Sequence, residues 1–502
     1  MSVSRSPLQA PIWELIGLAA LAAVYFAGYS PTDLPTTNIL NAYGPMVFTL
    51  LLSASAVRMV LQDSNAIWTA LFWFRTSSAV YFGVGNLVPI FGGEATIAAL
   101  QSFFPFDAND LAELNEIDTV ACLVVLCSAN LFGAIFSGGA ETAVLKQDRS
   151  AGERQLFAVG MFFLVVGGAF KYFLLIPYSF KLLNFVLPES IATIANFTYA
   201  GIYLMTVWSL EYRRSAMPLI IGFVTLNVAF GFLDLQKYEV LITLVLFGLA
   251  FLRGKITLLK LGAVFGSLLA VYIILAPAIE IGRFQFTNQY GFDGRVGFSE
   301  RFDIAWSAVT LTQSYVEDDT PGAKIGALSR ISYSNQSAYA IKQYDAHSPG
   351  NSLTDIFSVF VPRVLWPDKP IITQIASDFN YAITGNPLSQ TSPGLFADAY
   401  WDYGWTGVIV AMILLGIFHA WLSRYAIDVL RRGQWFYFPI VLLAMKEGFR
   451  TDGYLVADIV GGGVILFSSL IILRAVVEFP YEVFLGGGAS SRADLSSSVA
   501  GE

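Results

Sequence analysis

Apolar stretches about as long as a bilayer is thick recur along this chain, and they limit what it can fold into. A helix crossing the hydrocarbon core needs about 20 mainly apolar residues. On that criterion about twelve stretches qualify: residues 11–27, 39–61, 67–91, 117–136, 156–176, 191–210, 217–233, 240–252, 256–278, 405–422, 435–445 and 459–472. The first resembles a secretory signal in its basic flank at Arg5 and its small residues. With so many spans behind it, it reads as the first membrane helix. Composition agrees: 55% of positions are hydrophobic and 13% charged, where a soluble chain carries roughly 25% charged residues. Too little polar residue is present to cover a soluble body of this size, and the apolar content excludes disorder. The fold class is therefore an all-α polytopic membrane protein.

Lys and Arg concentrate in loops on the cytoplasmic side of a membrane. Arg58, Lys146, Arg149, Arg154, Arg213, Arg214, Arg253, Lys255, Arg424, Arg431, Arg432 and Arg474 all fall on one side of these twelve spans. Lys181 and Lys237 are the exceptions. On the other side, residues 92–116 hold Glu94, Asp107, Asp110, Glu113 and Glu116 and no basic residue. Charge and hydropathy together predict both termini in the cytoplasm. They divide the chain into a bundle of nine spans (1–280), an extracytoplasmic segment (281–404), three further spans (405–480) and a Gly/Ser/Ala-rich cytoplasmic tail (481–502), which composition predicts to be flexible.

Residues 281–404 contain no spanning run, and long segments of this kind are usually functional. Helical periodicity predicts helices over 299–316 and 327–344. A third runs from a cap at Asn351 or Ser352 to about Val364, before Pro367 and Pro370 stop it. The segment holds Arg283, Arg295, Arg301, Arg330, Arg363 and Lys369, interleaved with Tyr290, Tyr333, Tyr344, Trp366, Tyr381, Tyr400, Trp401 and Tyr403. Arginine offers a planar, permanently charged fork for phosphate oxygens, and aromatic faces with polar rims suit sugars. The set favours a site for an anionic group and a glycan. Taken singly, each arginine is more simply explained as pairing within an ordinary cap.

Lys446, Glu447, Arg450 and Asp452 follow the eleventh span. Ionisable groups at membrane depth are expensive and tend to be functional, although these could simply mark a helix end. Arg75 and Lys171 are the main charges inside earlier spans. The net charge of −8 supplies no footprint for nucleic acid. Cys122 and Cys127 share one apolar run, which argues against a disulfide framework or a zinc site. His347 and His419 are far apart in sequence, and no metal or other cofactor is expected. No phosphate-binding glycine loop, His-Glu-x-x-His or Gly-x-Ser-x-Gly occurs.

The run Val361-Pro-Arg-Val-Leu-Trp-Pro-Asp-Lys-Pro370 resembles a proline–tryptophan segment of bacterial oligosaccharide repeat-unit polymerases, the Wzy-type O-antigen polymerases. Pro393-Gly394, the stretch Ala397-Asp-Ala-Tyr-Trp-Asp-Tyr-Gly-Trp-Thr-Gly407 and Arg450-Thr-Asp452 are similar to further elements of that family. Arg283 and Gly294 also stand at its Arg-x10-Gly spacing. The likeness covers mainly residues 330–452, and Asp398 stands where the family pattern has Glu. The resemblance implies about a dozen helices, one large periplasmic loop, and transfer of a growing glycan from undecaprenyl diphosphate onto another lipid-linked repeat unit in the bacterial inner membrane. It implies a lipid-linked oligosaccharide substrate, and a chain-length regulator and a flippase as partners. It assigns Arg363, Lys369, Arg330 and Arg450 to the diphosphate or glycan, with Arg283, Tyr333 and Asp452 beside the substrate. Asp398 is the proton acceptor, with Asp402 behind it. Trp366 and Tyr400 are sugar platforms or, more simply, structural. An O-antigen ligase and a lipid-linked glycan flippase are the alternatives.

Overall fold

A computed structural model describes residues 8–28, 34–136, 149–185, 187, 189–254, 256–291, 295–317, 331–361, 365–366, 368, 374–385 and 390–478. No strand occurs among the described residues. The predicted tail, residues 481–502, lies outside them.

The chain begins with α1 (Ile12–Gly28) and α2 (Leu34–Gln62), followed by α3 (Ala70–Ser78) and α4 (Gly85–Phe91), which a π-helical turn at Ala79–Val84 joins. Next come α5 (Glu94–Phe103), α6 (Ala108–Phe136), α7 (Arg149–Phe170), α8 (Ile176–Ser179), α9 (Glu189–Ala195) and α10 (Phe197–Glu211). The series continues with α11 (Met217–Leu233), α12 (Lys237–Ala250), α13 (Leu258–Tyr290) and α14 (Phe298–Glu317). The last third holds α15 (Ser334–Asp345), α16 (Ile356–Phe360), α17 (Gln374–Thr384), α18 (Leu395–Arg431), α19 (Phe438–Phe449) and α20 (Gly461–Ile472).

Each of the predicted apolar stretches is helical, and 8 helical stretches are long and apolar enough to cross a membrane. The others fall short for local reasons. α1 has 17 residues, α12 has 14 and α19 has 12, and the 70–91 stretch is interrupted by its π turn. A 12-residue helix rises only about 18 Å, so α19 reaches little more than half way through a core about 30 Å thick.

Two cores hold the bundle together. In one, Tyr203 of α10 stacks on Phe438 of α19 with centroids 4.6 Å apart, and Trp68 meets both rings edge-on. The other packs Leu18, Leu52, Phe74, Cys122 and Met412 together with Ile341, Phe379 and Phe396. Ile341, Phe379 and Phe396 thus share one interior with the spanning helices. α14 instead packs against α13 and α11. Arg75 and Lys171, the main charges inside the earlier spans, are each paired with a carboxylate. Arg75 Nε lies 2.9 Å from Glu14 Oε1, and Ser55 donates to Glu14 Oε2 at 2.7 Å. Lys171, in a π-helical turn, donates to Glu239 at 2.8 Å.

The predicted helix at 299–316 is α14. Of the predicted 327–344 helix, the described part begins at Ser334 as α15. The third runs as a 3-10 turn, Ser352–Asp355, into α16 and ends at Phe360, not at Val364. Asn351 makes no side-chain cap there. The first amides of the turn, those of Ser352 and Leu353, are met by the Asp402 carboxylate instead.

Candidate functional site

The entry to α18 determines the geometry. Tyr403 and Gly404 leave helical dihedrals, Gly404 with φ 56° and ψ −146°. A Cβ on Gly404 would stand 2.6 Å from the Tyr344 hydroxyl in a conformation that side chains disfavour. The break reverses the chain. A Cβ on Gly407 would stand 2.2 Å from the carbonyl oxygen of Ala399, eight residues back. In a straight helix those levels are about 12 Å apart. Residues 395–402 therefore form a short arm folded back along the rest of α18.

The start of that arm is driven into the bundle. Leu395 N–H donates to the Thr451 carbonyl at 3.0 Å, and Phe396 packs on Phe82, with centroids 4.7 Å apart. Asp398 is completely buried and accepts from Leu455 N–H at 2.9 Å, with Ser352 Oγ 3.5 Å away. Asp402 accepts from the backbone N–H of Ser352 at 3.2 Å and of Leu353 at 3.0 Å, and from the Ser352 hydroxyl. The two acids thus clasp the 352–360 segment and the start of the last apolar stretch to the arm. Fully buried, Asp398 meets no surface from which an acceptor hydroxyl could approach.

The linker that the arm touches, residues 450–454, carries the charged cluster. Tyr333 donates to Asp452 Oδ2 at 3.2 Å, and the Tyr333 ring meets Tyr81 edge-on at 5.5 Å. Arg450 Nη1 donates to the Asp458 carbonyl at 2.9 Å and lies 3.7 Å from Asp458 Oδ1 and 3.9 Å from Glu447 Oε1. Asp458 Oδ2 accepts from Tyr454 N–H at 2.9 Å, and the Tyr454 hydroxyl donates to Thr391 O at 3.1 Å. One turn before Arg450, Lys446 Nζ lies 5.2 Å from the Tyr238 ring centroid. Burial pushes the Asp452 carboxyl up to about 6, and burial with the neighbouring Asp452 raises the Tyr333 hydroxyl well above its ordinary range.

The predicted site residues therefore divide. Tyr333 and Asp452 come together, Arg450 stands two residues before Asp452 and is held by Asp458, and Asp398 belongs to the clasp. Tyr400 is 6% exposed, donates to Asp345 at 3.3 Å and packs between Tyr344 and Trp405, which is a structural position. Arg283 donates to the Leu235 carbonyl at 2.7 Å, at the α11–α12 corner. There Arg301 pairs with Asp234 at 2.8 Å, while Arg295 covers Tyr178 of α8 at 4.4 Å. These three arginines hold α13 and α14 to the bundle. Burial raises the Asp234 carboxyl, with Arg301 acting in the opposite sense. Trp366 is 42% exposed. Arg330, Arg363 and Lys369 lie outside the described residues. Asp458 and Tyr81 escaped the sequence reading. The one available signal was an aspartate alone in an apolar run.

Among the described residues no group of three or more His, Cys, Asp or Glu side chains could hold a metal ion. Residues 328–433 match a family model described as a domain of unknown function, DUF8712. That region includes Tyr333 and the arm and stops short of Arg450. No curated protein and no solved structure matches the chain.

Proposed function

We propose that this protein is a polysaccharide polymerase of the bacterial inner membrane. It would join undecaprenyl-diphosphate-linked oligosaccharide repeat units into O-antigen, capsule or exopolysaccharide at the outer face. In this reading the chain crosses the membrane about twelve times, counting the short helices, with both termini cytoplasmic. Residues 281–404 are then extracytoplasmic, and the Tyr333–Arg450–Asp452 cluster opens toward that side.

The single observation that carries the reading is convergence. Two elements that resemble the polymerases, the stretches at 393–407 and 450–452, meet through the Leu395–Thr451 hydrogen bond, and Tyr333, a candidate substrate residue, donates to Asp452 at the same place. In the reaction the bond from the donor sugar's anomeric carbon to the diphosphate oxygen breaks, and its electron pair leaves with undecaprenyl diphosphate. The acceptor hydroxyl oxygen forms the new bond to that carbon and gives up its proton. Arg450 stabilises the negative charge that develops on the leaving group, together with Arg363, Arg330 and Lys369 from the preceding segment. We assign the proton to Asp452 instead of the buried Asp398.

Deletion of the gene followed by electrophoresis of surface glycan tests the reaction class. Loss of the ladder with one repeat unit retained is expected. Loss of even the single unit would indicate a flippase or a ligase. A normal ladder from Arg450→Ala or Arg363→Ala at wild-type abundance would overturn the assignment of that residue.

A further inference from the structure

We propose that an apolar groove between α18 and the 455–472 stretch holds the polyprenyl chain of the lipid-linked substrate. This rests on the polymerase reading for the identity of the chain, and on the groove alone for its place.

The groove encloses about 500 Å³ and is lined by Val410, Leu414 and Phe418 on one side and Ile459, Gly463 and Phe467 on the other. Small residues at a helix–helix seam normally let the backbones close together. Here the nearest atom to a Cβ on Gly463 would be the Phe418 ring at 3.6 Å, and the seam stays open beside it. Water gains nothing in such a lining, and an empty gap forfeits dispersion contacts along both walls. Hydrocarbon is the occupant that fits. Val410, Leu414 and Phe467 are 53%, 62% and 45% exposed, so the groove opens sideways and is continuous with the lipid-facing surface.

Its length selects the kind of hydrocarbon. From Thr406 to Phe418 the helix rises about 18 Å, while one leaflet's share of the core is about 15 Å. A chain that runs past its own leaflet is polyprenyl in character, whereas phospholipid chains end near the bilayer midplane.

The groove also ends where the reaction requires. Leu455 and Ile459 line it, and between them lies Asp458, whose carbonyl receives Arg450. Over that end the 352–360 segment forms a roof pinned by the Asp402 carboxylate. Phe357 and Phe360 stand exposed on the roof, as aromatic residues at a membrane interface do.

The test uses full-length protein in nanodiscs of phosphatidylethanolamine and phosphatidylglycerol, with undecaprenyl phosphate as the probe and native mass spectrometry as the readout. Wild type is expected to retain one undecaprenyl phosphate in preference to phosphatidylglycerol. Val410→Trp, at a lipid-facing position that tolerates bulk, and Gly463→Leu should each reduce retention at least tenfold. Arg450→Ala should keep the chain while losing polymer. Equal retention of both lipids by wild type, or undiminished retention in folded Val410→Trp, would overturn the groove assignment. Retention that follows the groove while Arg450→Ala still makes polymer would leave the groove standing and remove the polymerase assignment of Arg450.

Discussion

Replacing Asp398 separates two roles for the acid on the folded-back arm. The sequence resemblance makes it the proton acceptor, while its surroundings make it a clasp. Asp398 is completely buried and accepts from Leu455 N–H at 2.9 Å. Its other oxygen has no hydrogen-bond partner. An asparagine in place of the acid would keep an acceptor for Leu455 N–H and exchange one unpartnered atom for another, so Asp398→Asn should change stability by less than about 1 kcal/mol. Asp398→Ala would leave the buried Leu455 N–H without an acceptor, at a cost of about 1–3 kcal/mol. The loss should appear as an earlier unfolding midpoint in mixed-micelle denaturation. For a clasp, Asp398→Asn then makes nearly normal polymer, and Asp398→Ala loses polymer in step with folded protein. A proton acceptor in the reaction is worth about 10²–10⁴ in rate, and both variants would lose it equally. Asp398→Asn that folds normally, reaches wild-type abundance and makes no ladder would refute the clasp.

Three other perturbations have definite expected outcomes. Glu14→Ala strands Arg75 in the bundle and should destabilise the protein by about 3–5 kcal/mol. Glu14→Leu combined with Arg75→Met should recover most of that loss in the same unfolding assay. Asp452 is held near 6 in the folded protein, above its unfolded value of about 3.9. The folded state therefore binds more protons between those values, and stability falls as pH rises through that window by up to about 3 kcal/mol. Asp452→Asn should flatten the dependence, and polymer formation that needs the ionised carboxylate should fall off below about pH 6 in wild type. Gly407→Val should prevent the arm from folding back, since even a Cβ meets the Ala399 carbonyl at 2.2 Å. Cysteine pairs placed across the arm should then no longer crosslink.

What was legible in the sequence was local. Hydropathy sums over neighbours, so every stretch that it marked as apolar is a helix, and the amphipathic pattern at 299–316 gave α14 almost to the residue. Span length was less legible. Lys171 and Arg75 leave their stretches apolar enough to mark, but π turns at Lys171–Leu175 and Ala79–Val84 depend on how those helices meet their neighbours. The arginines show the same limit. Residue type gave no reason to separate Arg283, Arg295 and Arg301 from one another, and all three bind away from Tyr333 and Asp452, at Leu235, Leu183 and Asp234, whereas Arg450, two residues from Asp452, is held by Asp458. Only Arg450 among these four joins the cluster with Tyr333 and Asp452.

By itself, then, the sequence determined the solvent in which this chain folds, the helical state of its apolar stretches and the stock of charged and aromatic residues left over for chemistry. The tertiary structure decided which of those residues meet. Tyr333 and Asp452 stand 119 positions apart, and their contact depends on a chain reversal at Gly404, on an arm driven in to Thr451 and on a helix, α19, that stops part way. Each of these is a relation between distant backbones, fixed by packing and by buried hydrogen bonds, and no window of neighbouring residues contains it.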